Sequence, residues 1–546
     1  MLKKSSYLVC IQLIVFLLLS GCGNFDNNDD NTGESKNGEH AQELRINIKS
    51  EPPTLHPGLA TDSTSGVVLR HAFEGLTRVG EDGKPHEAMA EKIDISEDKK
   101  TYTFTIRDAN WSNGDKVTAH DFEYAWKWVL DPKNQSDYAS IIYNYIAGAK
   151  EAYNTKDISI DKMNNVGIKA TDDKTLVVNL TNPADFFLEL TAFYTYLPVN
   201  SKTAKENPDW ANKVDDNYVM NGPFVITDKS ASITLEKNKD YWDSDTVKLE
   251  KITMDMIDDE NTEYQSFKKG ELDWAGAPTS ALPTDVIPQL EKEGTLQTKV
   301  IAGTYWFKFN ITKEPFNNAN IRKALTYAIN RKAIIENITQ GGQKPAMAVV
   351  PTTMIKDNEK GYFKDNDIDT AKELLTKGLK ELGLTDASQL PAIALSYNTS
   401  EAHQKIAQAI QDMWRKNLGI DVTLSNAEWA VFLDNVDQGN FQIARGSWLA
   451  DFNDPVNFLE IFTEPKGNND TGWSNSGYNK LLTQASVETD SAKRLALLKD
   501  AEEILMDEMP IAPLYFYTEN WIQNEKLKGV VISPLGDVQY KWAYFE

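Results

Sequence analysis

In 546 residues, 81 acidic side chains stand against 57 basic ones, a formal charge of −24, and a surface of that sign repels phosphate backbones, so nucleic acid is not an expected partner. The length exceeds what one hydrophobic core ordinarily organises, so two or three lobes are expected. Two cysteines in the whole chain exclude a disulfide framework or a cysteine-rich zinc cluster.

In chain order, the first element reads as a targeting segment. Met1-Leu2-Lys3-Lys4 is basic, Tyr7 to Leu19 is almost wholly apolar, and Leu19-Ser20-Gly21-Cys22 follows. A basic start, an apolar run of this length and small residues before a cut describe a signal peptide over 1–21. A membrane span needs about 20 apolar residues, more than this run supplies. The cysteine behind the small residues resembles a bacterial lipobox, which implies that Cys22 becomes the lipidated first residue of the mature chain, held at the outer face of the cytoplasmic membrane. An ordinary secreted chain with an incidental Cys is the alternative. Loss of residues 1–21, with Lys3, Lys4 and no acid, would move the charge from −24 to −26. The polar stretch behind Cys22 (22–43) reads as anchor and flexible linker. No later stretch is apolar enough to cross a bilayer.

Helices and strands then interleave. TYTFTIRD (101–108) alternates as a half-buried strand, with Tyr102, Phe104 and Ile106 on one side. Thr118 is placed to cap a helix whose stripe is Phe122, Ala125, Trp126 and Val129, stopped at Asp131-Pro132. Amphipathic helices are expected at 320–335, 369–383, 401–419 and 492–510, and strands at 175–180, 232–237, 393–398, 421–426 and 512–518. The stretch ARGSWLADFNDP (444–455) carries Gly446 and ends on Pro455, which predicts an extended or irregular segment. The mixture is that of α/β or α+β lobes.

Tests for catalytic chemistry fail one after another. The six histidines form no HExxH or other tight pair, and there is no GxSxG, P-loop or GxGxxG. SFKK (266–269) has the SxxK spacing, but no KTG follows. A glycoside hydrolase needs two opposed carboxylates, which a sequence cannot place face to face. The expectation is therefore no enzyme, no metal and no cofactor, with a secreted hydrolase as the remote alternative.

Several stretches resemble one family, the family-5 solute-binding proteins of ABC importers and, within it, the oligopeptide-binding lipoproteins. They are EPPTLHP (51–57), HAFEGLTR (71–78), the long block 88–126, NGPF (221–224), LEKNKDYWD (235–243), FNNANIRKAL (316–325), YNTSEAHQKIA (397–407) and RGSWLADFNDPVNFL (445–459). The resemblance implies an α/β, three-lobed clam of the periplasmic-binding-protein type (type II, cluster C) whose lobes hinge closed on a ligand. A discontinuous lobe I would hold 44–75, 200–302 and 517–546, an inserted lobe II 76–199, and lobe III 303–516. It also implies a monomer that binds oligopeptides and delivers them to the permease subunits of an ABC transporter in a Gram-positive cell membrane. A receptor for one signalling peptide or for another solute is the alternative within the family.

Site residues carry over one at a time. Asp451 is the acid that takes the free α-amine of a peptide. The peptide backbone would lie as an added strand between residues 61–65, through Thr61, Ser63 and Ser65, and residues 445–449, through Ser447 and Leu449. Tyr138, Trp306, Trp429 and Trp448 match aromatics of the cavity wall. Arg445 and His403 match positions that meet a peptide carboxylate in some relatives, and His403 stands in the first turn of its helix, where free N–H groups favour an anion. Thr339 and Val436 stand where some relatives carry cations, which leaves the carboxyl end of the ligand less defined. Peptides of about four or five residues, or longer, are expected.

Overall fold

The computed structural model describes residues 41–80, 82–155, 158 and 163–546. The targeting segment, Cys22 and the linker before residue 41 lie outside the described residues.

Three sheets frame the molecule. In the first, Glu43–Asn47 runs parallel to Lys251–Asp255, which continues antiparallel to Ile233–Lys237 and then Phe224–Lys229. A strand from the start of the chain is thus paired with one some 200 residues later, which makes this part of the fold discontinuous in sequence. The second sheet is antiparallel throughout, in the order Ala90–Ile95, Thr101–Ile106, Thr175–Asn179, Ile168–Ala170. The predicted alternation holds here: Tyr102, Phe104 and Ile106 are buried and the residues between them are not. The helix Ala119–Val129 packs against this sheet. The Thr118 amide donates to the Asp121 carboxylate (2.9 Å) at its start, and Phe122, Ala125, Trp126 and Val129 are buried as the stripe predicts.

The third sheet has the order Trp274–Gly276, Ile511–Gln523, Gln297–Phe309, Ile443–Leu449, Ile393–Asn398, Val422–Ala427, with the short strand Lys344–Pro345 beside Ile511–Gln523. Its first four strands are antiparallel and the last three parallel. Two strands of 13 residues, Gln297–Phe309 and Ile511–Gln523, form its backbone. Their pairing slips between Val300 and Thr304 and again between Tyr305 and Trp306. One end of this ribbon is sealed by Ala275, Leu282, Ile287, Leu290 and Ile522. The other, with Phe307, Phe309, Ala512 and Leu514, belongs to a separate core with the helices Ala319–Tyr327 and Glu401–Leu418. A further apolar cluster joins residues from Leu44 to Trp274 with Leu527 to Phe545.

Helix ends follow local chemistry. Glu401–Leu418 starts behind Ser400 and ends at Gly419 in the left-handed region (φ 66°), where glycine is unstrained. The helix expected over 320–335 is broken: it is observed as Ala319–Tyr327 and Arg331–Ile334. Asn330 leaves helical geometry and its side chain accepts from the Ala333 amide (2.9 Å), so it caps a new helix in the middle of the apolar pattern.

Candidate functional site

A cavity of about 460 Å³ lies where the long ribbon, the strand Ile443–Leu449, the helix Glu401–Leu418 and the chain around residues 61–64 meet. The strand Ile443–Leu449 pairs along its whole length with 303–309, but its other edge meets Ile393–Asn398 only at Ile443 and Ala444. From Arg445 to Leu449 that edge therefore has no strand partner among the described residues, and it borders the cavity. An unpaired edge is a template for one more strand. Gly446 is required here, because a Cβ would stand 2.5 Å from Trp306 Nε1.

Asp451 follows this edge. Tyr138 Oη donates to its Oδ1 (3.3 Å) and Asn457 Nδ2 to its Oδ2 (3.3 Å). Asn457 is itself fixed by Trp448 Nε1 and by the Asp451 amide, both donating to its Oδ1. Among the described residues no lysine, arginine or histidine pairs with Asp451. Burial pushes its pKa up to about 8, and Asp537 and Glu460 push the same way against the pull of Asn457 and Tyr138. The carboxyl is held in place and short of a counter-charge, and a cation arriving beside it would return it to the ionised form.

Arg445 is the reverse case. Its Nη2 donates to Tyr517 Oη (2.9 Å), its guanidinium lies 5.0 Å from the centre of the Tyr305 ring, and its Nε is buried without a hydrogen-bond partner. No carboxylate among the described residues forms an ion pair with it. Beside it, His403 Nδ1 lies 3.3 Å from Tyr305 Oη. Burial, and then Arg445 and Lys49, hold the His403 pKa well below its ordinary value, so the ring is neutral at pH 7. Thr339 and Val436 also line the cavity, Thr339 donating to Gln343 Oε1 (2.9 Å), and neither supplies charge.

Asp62, Asp137, Asp258, Asp437 and Glu519 also line the cavity without an ion pair among the described residues, whereas the remaining cavity cations are matched: Arg70 with Asp537, Lys49 with Glu260, Lys308 with Asp470. Near the last pair, burial and then Asp470 and Asp137 push Asp437 up to about 7.

Of the residues expected at the site, Thr61, Ser63, Tyr138, Trp306, His403, Trp429, Arg445, Ser447, Trp448, Leu449 and Asp451 all line this cavity. The segment 61–65 needs correction. It is not one extended edge: the helix Ser63–Ala72 begins inside it, because Asp62 caps the helix by accepting from the Ser65 amide (3.0 Å). Ser65 is buried, is not on the cavity wall, and its hydroxyl donates to Asp62 (2.6 Å). Asp62 was missed. It meets Trp429 Nε1 at 3.4 Å, a link between chain segments 367 residues apart. Tyr517, Asn457 and Glu519 were missed as well, and the sequence carries no motif that singles them out.

Along the free strand edge an acid without a cation, Asp451, and a cation without an acid, Arg445, stand at opposite ends among the described residues, an arrangement that fits an extended ligand charged at both ends. Comparison with known proteins places the protein more narrowly. Residues 84–470 match the family model for bacterial extracellular solute-binding proteins, family 5. The chain belongs to that family. It is 56% identical to the oligopeptide-binding protein OppA of Bacillus subtilis, over all of both chains. Haemophilus influenzae OppA in complex with the peptide RPPGFSPFR superposes with a TM-score of 0.86 at 30% identity, over 93% of this chain and 99% of that one. The murein tripeptide binding protein MppA of Escherichia coli superposes at 0.84 (32% identity; 92% of this chain, 98% of that one). Against MppA in its unliganded open form the score falls to 0.60 at the same identity (92% and 97%). The arrangement described here thus departs from the open form of that relative.

Proposed function

We propose that this protein is an extracytoplasmic receptor that captures oligopeptides by their backbone and free amino terminus and delivers them to the permease of an ABC importer. The observation that carries the reading is the half-buried Asp451 carboxyl, with no cation of its own among the described residues, at the end of an unpaired strand edge that borders the cavity. A buried carboxylate alone and a buried ammonium alone are each costly, and together, with hydrogen bonds, they offset one another. The peptide backbone then adds as a strand along Arg445–Leu449, through groups every peptide carries, so side chains matter little. The carboxyl end meets Arg445 and the neutral His403. Arg445 and Asp451 are six positions apart, at most about 20 Å at about 3.3 Å per position, an upper bound of about six extended residues that accommodates the expected four or five. Longer ligands leave through the mouth of the cleft.

The paired 13-residue strands serve as the hinge: their slipped pairing near 301–304 separates a lobe built on 44–75, 200–302 and 517–546 from one built on 303–516, with 76–199 as the inserted lobe. Cys22 tethers the mature monomer to the outer face of the membrane after removal of residues 1–21. Expected results are a tetrapeptide affinity that drops by about 3–5 kcal/mol in Asp451→Ala, the usual consequence of leaving a buried charge unpartnered, and a comparable drop on N-acetylation of the peptide. Calorimetry that shows neither change overturns the anchor. Binding confined to one peptide sequence would instead make the protein a dedicated signal receptor.

A further inference from the structure

Asp451 faces two spaces. Behind the rings of Tyr138 and Trp448 lies a second cavity of about 300 Å³, which shares those rings and the Asp451 carboxyl with the main cleft. Ser136, on its wall, is 4% exposed and its hydroxyl has no hydrogen-bond partner. A buried hydroxyl without a partner is unfavourable, so a polar group entering here would meet an unfilled role.

The charges of this chamber do not balance. Glu464 is met twice, by Lys150 Nζ (3.2 Å) and Lys466 Nζ (2.9 Å). Glu460 is met by no cation among the described residues. Its Oε2 accepts from Tyr145 Oη (2.7 Å) and Asn144 Nδ2 (3.1 Å), and no donor is assigned to its Oε1. Burial pushes its pKa up to about 7, against those two donors.

Building on the proposed capture of the amino terminus at Asp451, we propose that this chamber takes the side chain of the ligand's first residue and favours a long cationic one, of the lysine or arginine type, which pairs with Glu460 and hydrogen-bonds Ser136. The geometry follows from the anchor. An α-ammonium on Asp451 puts the first Cα beside the packed rings of Tyr138 and Trp448, whose centres are 6.1 Å apart, and only a long side chain extends past their edges into the chamber. Two cations then sit close together, each served by its own carboxylate, and a neutral side chain of equal length leaves Glu460 and Ser136 unmatched.

The test uses the full chain and four tetrapeptides that end in three alanines and begin with lysine, norleucine, alanine or glutamate. Calorimetry should show the lysine peptide binding about tenfold more tightly than the norleucine one, and the glutamate peptide the weakest. In Glu460→Gln the lysine-to-norleucine ratio should fall to within about twofold, and in Ser136→Ala it should shrink by less. Because the readout is a ratio, a general loss of affinity in a variant cancels. Equal affinities for lysine and norleucine in the wild type overturn the proposal whether or not the variants fold, and so does a ratio that survives Glu460→Gln. Failure of all four peptides to bind overturns the peptide-capture reading itself, whereas equal binding of all four overturns the chamber alone.

Discussion

Charges buried in the body of the fold and charges half-buried at the cleft are provided for differently. Arg78 is enclosed near the base of the helix Ser63–Ala72. Its Nε donates to Glu74 (2.7 Å), its Nη1 to Gln539 (2.9 Å), and its Nη2 to the carbonyls of Arg70 and Phe73. Tyr241 and the Glu74 carboxylate complete that network. Arg494 and Asp454 likewise make two parallel hydrogen bonds of 2.8 and 2.9 Å. At the cleft, Asp451 and Arg445 have dipolar neighbours but, among the described residues, no opposite charge. A buried ion is tolerated when its partner and hydrogen bonds are in place, and left alone it is costly. In the body, a buried acid without a cation among the described residues, such as Glu502, is filled by donors, the Val349 and Val350 amides, Asn358 and Tyr362, whereas the acid and the cation of the cleft edge are placed where one zwitterion can complete both.

This contrast can be broken at either end. The largest effects are expected from Arg78→Ala and Asp451→Ala, each about 3–5 kcal/mol, and in different observables. Denaturant unfolding should register the Arg78 loss with peptide affinity almost unchanged, whereas the Asp451 loss should fall on affinity without a matching drop in stability. If Asp451→Ala destabilises the unliganded protein as much as Arg78→Ala does, the carboxyl is a structural group and the contrast fails.

Arg445→Met should cost about 1.5–3 kcal/mol of affinity, the range for hydrogen bonds to a charged group. Amidation of the peptide carboxyl should reproduce most of that loss in the wild type and add little in the variant. Independent, additive losses would show that Arg445 meets something other than the carboxyl terminus.

The pH dependence sharpens the comparison further. With a folded pKa of about 8, well above its ordinary value, Asp451 is protonated in the unliganded protein at pH 6.5. Its ionisation therefore weakens the unliganded fold progressively as pH rises from about 4 to about 8. Asp451→Asn should flatten that decline. Binding of an ammonium at pH 6.5 should release close to one proton, so affinity should rise by up to about tenfold per pH unit. Above about pH 8 the trend should reverse as the peptide amine itself loses its proton. Calorimetry in buffers of different ionisation enthalpy measures the proton directly, and no release at pH 6.5 would rule out this account of Asp451.

The smallest effect is expected at the surface. Lys99 and Asp185 form an ion pair at 2.8 Å with both side chains largely exposed, and such pairs contribute little. Lys99→Ala should leave the melting temperature unchanged within error.

Local elements were legible wherever the pattern and the end signals agreed. The strand Thr101–Ile106, the helix Ala119–Val129 and the stop at Gly419 follow from alternation, an apolar stripe and a left-handed glycine. The pattern misled where a polar residue had two possible roles. Asn330 reads as one more helical position and acts as a cap, and Asp62 starts a helix within a stretch expected to be extended. The resemblance pointed to Asp451, Arg445 and His403. It did not point to Glu460, nine residues past Asp451, nor to Tyr517, which holds Arg445 from the neighbouring long strand.

What the sequence determined by itself is local and chemical: the class of lobes, the caps, the net negative surface, the family and the acid placed after the strand edge. Tertiary structure decided which charges go unmatched. Ion pairing depends on approaches of a few ångströms between segments hundreds of residues apart, such as Arg70 with Asp537 or Lys49 with Glu260. No spacing along the chain encodes those distances, because they are set by how separately folded sheets and cores pack against one another.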